Sequence, residues 1–149
     1  MTVHHKLSIT GPGAPPPGPG SPVSNPPGYN LDFGPPRSRM HEFGHIWFNQ
    51  DSQPVTIELE IETVGFVFDN AGTADGTLAL FISRDPAVKA SFNSFGGVFS
   101  QPELNLTNPP YTKLTFTSSN HGGAFYYQLN VRDPNNVLVQ WDPIIVNQP

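Results

Sequence analysis

The sequence contains no cysteine among its 149 residues. Disulfide staples, thiol chemistry, iron–sulfur clusters and zinc ribbons are excluded with it. Charge is also sparse: Asp, Glu, Lys and Arg make up 13% of the chain, and the formal net charge is −5. The seven Lys and Arg are scattered rather than grouped. Nucleic acid and anionic membrane surfaces both ask for clustered cations, so neither is expected as a partner. No run approaches the roughly 18 apolar residues of a membrane-spanning helix. The opening "MTVHHKLSIT" lacks the apolar stretch of a secretory signal. The expectation is a chain with neither signal nor transmembrane segment, cytoplasmic by default. The G-x-S-x-G, G-x-G-x-x-G and phosphate-loop patterns are all missing, so no catalytic residue is assigned and no cofactor is called for.

Proline and glycine, by contrast, are abundant and unevenly placed. Ten of the 18 prolines and six of the 14 glycines fall among the 26 residues from Gly11 to Pro36. The glycines keep no three-residue period, which excludes a collagen helix. Residues 1–36 read as a Pro/Gly-rich N-terminal arm, with a short strand at 5–10 where Leu7 and Ile9 alternate with Ser8 and Thr10. Extended at ~3.1 Å per residue, the Pro/Gly stretch would reach roughly 80 Å, enough to lie across a neighbouring copy. Residues 37–149 are then the globular domain.

Within that domain, short alternating runs are separated by turn residues. "VTIELEI" sets Ile57, Leu59 and Ile61 against Glu58, Glu60 and Glu62, the period of a half-buried strand. Gly65 marks a bulge or bend, and "TLALFIS" and "TKLTFTSS" read as further strands. "AFYYQLNVRDPNNVLVQW" reads as a hairpin turning at Asp133-Pro134-Asn135-Asn136, with Phe125, Tyr127, Leu129 and Val131 on the core face. Prolines recur too densely for long helices. The expectation is an all-β, antiparallel sandwich of about seven or eight strands.

One stretch points elsewhere. "HEFGH", His41 to His45, carries the H-E-x-x-H letters of zinc proteases and resembles the wording of the metzincin family. On that template the third ligand would be Asp51; the glycine the family requires falls on Phe48, and no methionine follows for its Met-turn. The chemistry also needs a helix. In a strand, residues i and i+4 stand about 13 Å apart, whereas two nitrogens on one zinc lie within about 4 Å. Pro35 and Pro36 upstream, Gly44 inside and "IWF" downstream all disfavour helix. His41, His45 and Asp51 are therefore carried as low-ranked metal candidates, and the motif as a chance match.

Other features carry less. Asp69, Asn70 and Asp75 sit in "DNAGTADG", which lacks the spacing of a calcium loop and reads as a polar turn. Tyr126, Trp141 and Trp47 are the aromatics that would line a surface for carbohydrate or protein.

The ending "VLVQWDPIIVNQP", with Asp142-Pro143, the apolar Ile144 to Val146, then Asn147 and Pro149, resembles the closing strand of the small bacterial DP-EP family. The strand–turn–strand before it suits the same family. The resemblance implies an immunoglobulin-like sandwich without an assigned enzymatic activity. Together these readings predict a non-catalytic structural or self-association protein whose N-terminal arm contacts other copies of itself, as a homo-oligomer or filament. The alternative is a carbohydrate- or protein-binding module; a zinc metalloprotease ranks behind both.

Overall fold

Alternation at the very start of the chain already builds a sheet. In the computed structural model, residues 2–15, 18–19, 22–35, 46–47, 54–83, 98–119 and 125–147 are described, for 46–47 and 142–147 as backbone. The described residues form no helix and eleven strands: β1 (Thr2–Thr10), β2 (Ser24–Asn25), β3 (Asn30–Asp32), β4 (Ile46–Trp47), β5 (Val55–Ile61), β6 (Val67–Phe68), β7 (Leu80–Ser83), β8 (Glu103–Leu104), β9 (Lys113–Ser118), β10 (Phe125–Arg132) and β11 (Leu138–Asn147). They lie in two sheets, so the protein is all-β as its patterning predicts. One sheet has the order β3-β1-β5-β9-β8; the other runs β2-β11-β10-β6, with β4 also on β11 and β7 also on β10.

The expected alternation holds in β5. Val55, Ile57, Leu59 and Ile61 are buried, while Thr56, Glu58 and Glu60 are half-buried on the opposite face. In β9, Leu114 and Phe116 turn inward in the same way. From the second sheet come Phe125, Tyr127, Leu129 and Val131 of β10, Val139 and Trp141 of β11, Phe68, Leu80 and Ile82. All belong to one core cluster, into which each fully buried aliphatic side chain brings about 1.5–3 kcal/mol. The β10–β11 ladder skips a residue between Tyr127↔Ile144 and Leu129↔Trp141. The extra residue falls at Asp142-Pro143, where a missing proline N–H is least costly.

The N-terminal segment differs from the expected arm. β1 starts at Thr2, not at residue 5, and pairs in parallel with β5 from Thr2↔Thr56 to Leu7↔Ile61. It lies beside β5 from Thr2 to Leu7 and beside β3 only from Ser8 to Thr10, and Val3, Leu7 and Ile9 are buried in the core. The Pro/Gly stretch leaves the sheet after Thr10 and returns at Asn30, where Thr10↔Asn30 closes it. It is therefore a loop with joined ends, not an 80 Å tether. Ala14 N–H donates to Gly28 C=O at 2.9 Å across this loop. Gly11 has φ +133°, and a Cβ there would stand 2.5 Å from the Gly28 oxygen, so only glycine fits the crossing. Tyr29, Leu31 and Phe33 follow as alternate buried residues. The sandwich thus begins at β1, within the segment expected to be an arm.

A buried tie fixes this return. Tyr29 Oη donates to Asp133 Oδ2 at 2.6 Å. The other oxygen of Asp133 accepts the N–H groups of Asn135 at 2.9 Å and Val137 at 2.8 Å. One carboxylate therefore shapes the β10–β11 turn and anchors the loop.

Candidate functional site

The two sides of the five-stranded sheet end differently. In a strand, the N–H and C=O of successive residues point to opposite sides. Leu7 C=O accepts from Glu62 N–H at 2.8 Å, and Ile9 N–H donates to Thr63 Oγ1 at 2.8 Å. The odd residues of β1 therefore face β5, and Thr2, His4, Lys6, Ser8 and Thr10 face the other side. Ser8 and Thr10 meet Asp32 and Asn30 of β3. The outward N–H and C=O of Thr2, His4 and Lys6 have no partner among the described residues. This is the longest unpaired strand edge among the described residues.

The vacancy has a local cause. Continuing β3 would bring Gly34 opposite Lys6. Instead Gly34 N–H donates to Asp32 Oδ1 at 2.7 Å, an Asx turn with Gly34 at φ 70°. The chain is diverted at Phe33 and leaves a cleft of about 330 Å³ lined by Lys6, Ser8, Asp32, Phe33, Gly34, Pro35, His5 and Glu62. The outer face beside it is polar. Thr2, Thr56 and Thr117 form one row and His4, Glu58, Thr115 and Glu103 the next. His4 Nδ1 lies 3.1 Å from Glu58 Oε1, and Lys6 Nζ 3.6 Å from Glu62 Oε1. These pairs are solvent-exposed, so each contributes at most about 1 kcal/mol.

The opposite side is closed. Ser100 N–H donates to Thr117 C=O at 2.8 Å, Ser119 N–H to Val98 C=O at 2.7 Å, and Asn105 N–H to Lys113 C=O at 3.1 Å. β8 is itself capped, since Leu104 N–H reaches Ala74 C=O at 2.8 Å and Gly76 N–H reaches Pro102 C=O at 2.9 Å.

The residues singled out in the sequence do not converge. Trp141 is fully buried, because its pairing with Leu129 turns it to the core face, and it cannot be part of a binding surface. Tyr126 is half-buried on β10. Trp47 lies on β4, which runs parallel to β11, and its side chain is outside the description. His41, Glu42, His45 and Asp51 lie outside the described residues. Among the described residues no three His, Asp or Glu side chains group to hold a metal. No helix among them is long and apolar enough to cross a membrane.

In "DNAGTADG" the oxygens serve the loop itself. Asn70 Oδ1 accepts Gly72 N–H at 2.9 Å, Asp75 Oδ1 accepts Thr77 N–H at 2.9 Å, and Asp69 pairs with Arg132 Nε at 3.0 Å. The bond from Thr77 holds the Asp75 carboxyl below its ordinary value. Asp133 is lowered by the hydrogen bond from Tyr29, and next by the N–H of Val137. Tyr29 is raised by the same hydrogen bond, then by burial. Burial alone pushes the Tyr127 phenol well up. The shifts of Tyr29, Asp133 and Asp75 each have a hydrogen bond as their largest cause.

Sequence reasoning missed Thr2, His4 and Lys6. Their signal was the alternation beginning at Val3, which His5 at an inward position concealed. No protein-family model matches the chain, and no curated protein matches it either. Neither comparison supports the resemblance to the DP-EP family.

Proposed function

We propose that the protein is a non-catalytic β sandwich that works by associating with another polypeptide, in the first instance another copy of itself, through strand addition at β1. The observation that carries this reading is the unpaired edge of Thr2, His4 and Lys6. Exposed strand edges are templates for pairing, and added strands gain affinity from main-chain hydrogen bonds. Contact with neighbours is then made by the strand and not by the Pro/Gly loop, whose ends are tied inside the domain. The immunoglobulin-like type is part of the proposal and rests on the C-terminal resemblance. The carbohydrate-binding alternative is the weaker one, because Trp141 is buried and Tyr126 half-buried.

Removing residues 1–36 does not test association, since it deletes β1, β3 and the core side chains they carry. Lys6→Pro does. The Lys6 N–H faces the vacant side, so proline breaks no bond to β5 yet blocks an incoming strand. Light scattering is expected to show wild-type mass rising above 16.2 kDa with concentration, while Lys6→Pro remains at that monomer value. Equal masses for the two proteins at every concentration contradict the reading.

A further inference from the structure

The unpaired side of β1 offers the outward backbone groups of Thr2, His4 and Lys6, and β1 itself matches them best. We propose that β1 of a second copy fills it, antiparallel, about a two-fold axis at His4; this rests on the association reading above and specifies its geometry. Face parity comes first. Directly opposed residues share a face, so only registers that pair even with even residues keep Val3 and Leu7 on the buried side. Among those, the register centred on His4 uses every outward N–H and C=O of Thr2, His4 and Lys6 and leaves Ser8 to β3. Thr2 then stands opposite Lys6 of the second copy, and His4 opposite its own counterpart. Registers shifted by two residues in either direction lose a pair or collide with β3.

Charge favours the same occupant. β1 contains no acidic residue, whereas the sheet it would extend displays Glu58, Glu60, Glu62 and Asp32. An acidic strand would meet those carboxylates; a second β1 brings His4 and Lys6, each with its own carboxylate at 3.1 Å and 3.6 Å. The two-fold also uses the same edge on both copies, so the contact closes as a dimer and builds no filament.

A chain without cysteine allows a direct test of register. Opposed residues of a hydrogen-bonded antiparallel pair have Cα atoms about 5.5 Å apart, inside the disulfide range. His4→Cys is expected to form a disulfide-linked dimer under mild oxidation, about tenfold more than Thr2→Cys or Lys6→Cys alone. Position 6 is about 13 Å from its own counterpart in this register, as is position 2. Mixing Thr2→Cys with Lys6→Cys chains should restore crosslinking, with the two variants joined to each other. These side chains are exposed, and thermal melts of the three variants check that each folds. Equal crosslinking in all three, or none above a surface-cysteine control while wild type still associates, overturns the two-fold register alone. A wild type that stays monomeric at all concentrations overturns the association reading as well.

Discussion

The two edges of the five-stranded sheet were given opposite treatments by the chain. Beyond β9, three short segments around Phe99, Glu103 and Ala74 saturate the outward backbone groups one after another. Beyond β1, a single Asx turn at Asp32 and Gly34 carries the covering strand away after three residue pairs. The closed edge is built from irregular pieces that have no alternation of their own. The open edge is a regular strand with polar residues outward and Lys6 among them, a residue that discourages indiscriminate pairing without preventing a matched one. The contrast is between a side whose outward backbone groups are bonded within the chain and a side where those of Thr2, His4 and Lys6 have no partner among the described residues.

The largest expected effect comes from breaking the closed side. The Phe99 ring stands edge-on to Phe125 at a centroid distance of 5.0 Å and packs near Phe116 at 6.3 Å. Phe99→Ala should cost about 3–5 kcal/mol in urea unfolding and expose a second strand edge. The variant is expected to aggregate where wild type does not; wild-type stability would mean that Phe99 does not hold this edge.

A smaller effect is expected at the tie that holds the Pro/Gly loop. Tyr29→Phe removes the donor to Asp133 and should lower Tm by a few degrees, on the order expected for one buried hydrogen bond. The tie also has a pH signature. The folded state lowers the Asp133 carboxyl, so its contribution is present above the ordinary carboxylate range and is lost as pH falls through the lowered value. The folded state raises the Tyr29 phenol, so its contribution is present below about 10 and is lost as pH rises beyond it. Wild type should therefore lose stability more steeply than Tyr29→Phe at both extremes. Parallel curves would contradict this assignment. Lys6→Pro sits at the small end of the scale for stability: in dilute solution, where both proteins are monomeric, its Tm should stay within about 2 °C of wild type, because only an exposed ion pair is lost.

The fold class was legible because β5 and β9 alternate cleanly, and Phe125, Tyr127, Leu129 and Val131 of β10 are plainly apolar, although Gln128 and Asn130 on its other face are buried too. The N-terminal half of β1 was not, since His5 occupies an inward position and a histidine reads as polar. The Pro/Gly composition suggested an extended arm, yet "YNLDF" carries the alternation of Tyr29, Leu31 and Phe33 that returns the chain to the core. What composition could not supply was the tertiary pairing Thr10↔Asn30 that joins the loop's ends. Trp141 read as a surface aromatic because its direction depends on register with Leu129, across the β10–β11 turn. The open edge itself is a property of what β3 fails to cover, and no local pattern encodes that.

Backbone amide hydrogen exchange, followed residue by residue at low and high protein concentration, tests the central claim most directly. The Leu7 N–H faces β5 and should be protected at both concentrations. The N–H groups of His4 and Lys6 face the vacancy; they should exchange freely in dilute solution and become protected as concentration rises. If their exchange is the same at both concentrations, β1 does not pair with a second copy.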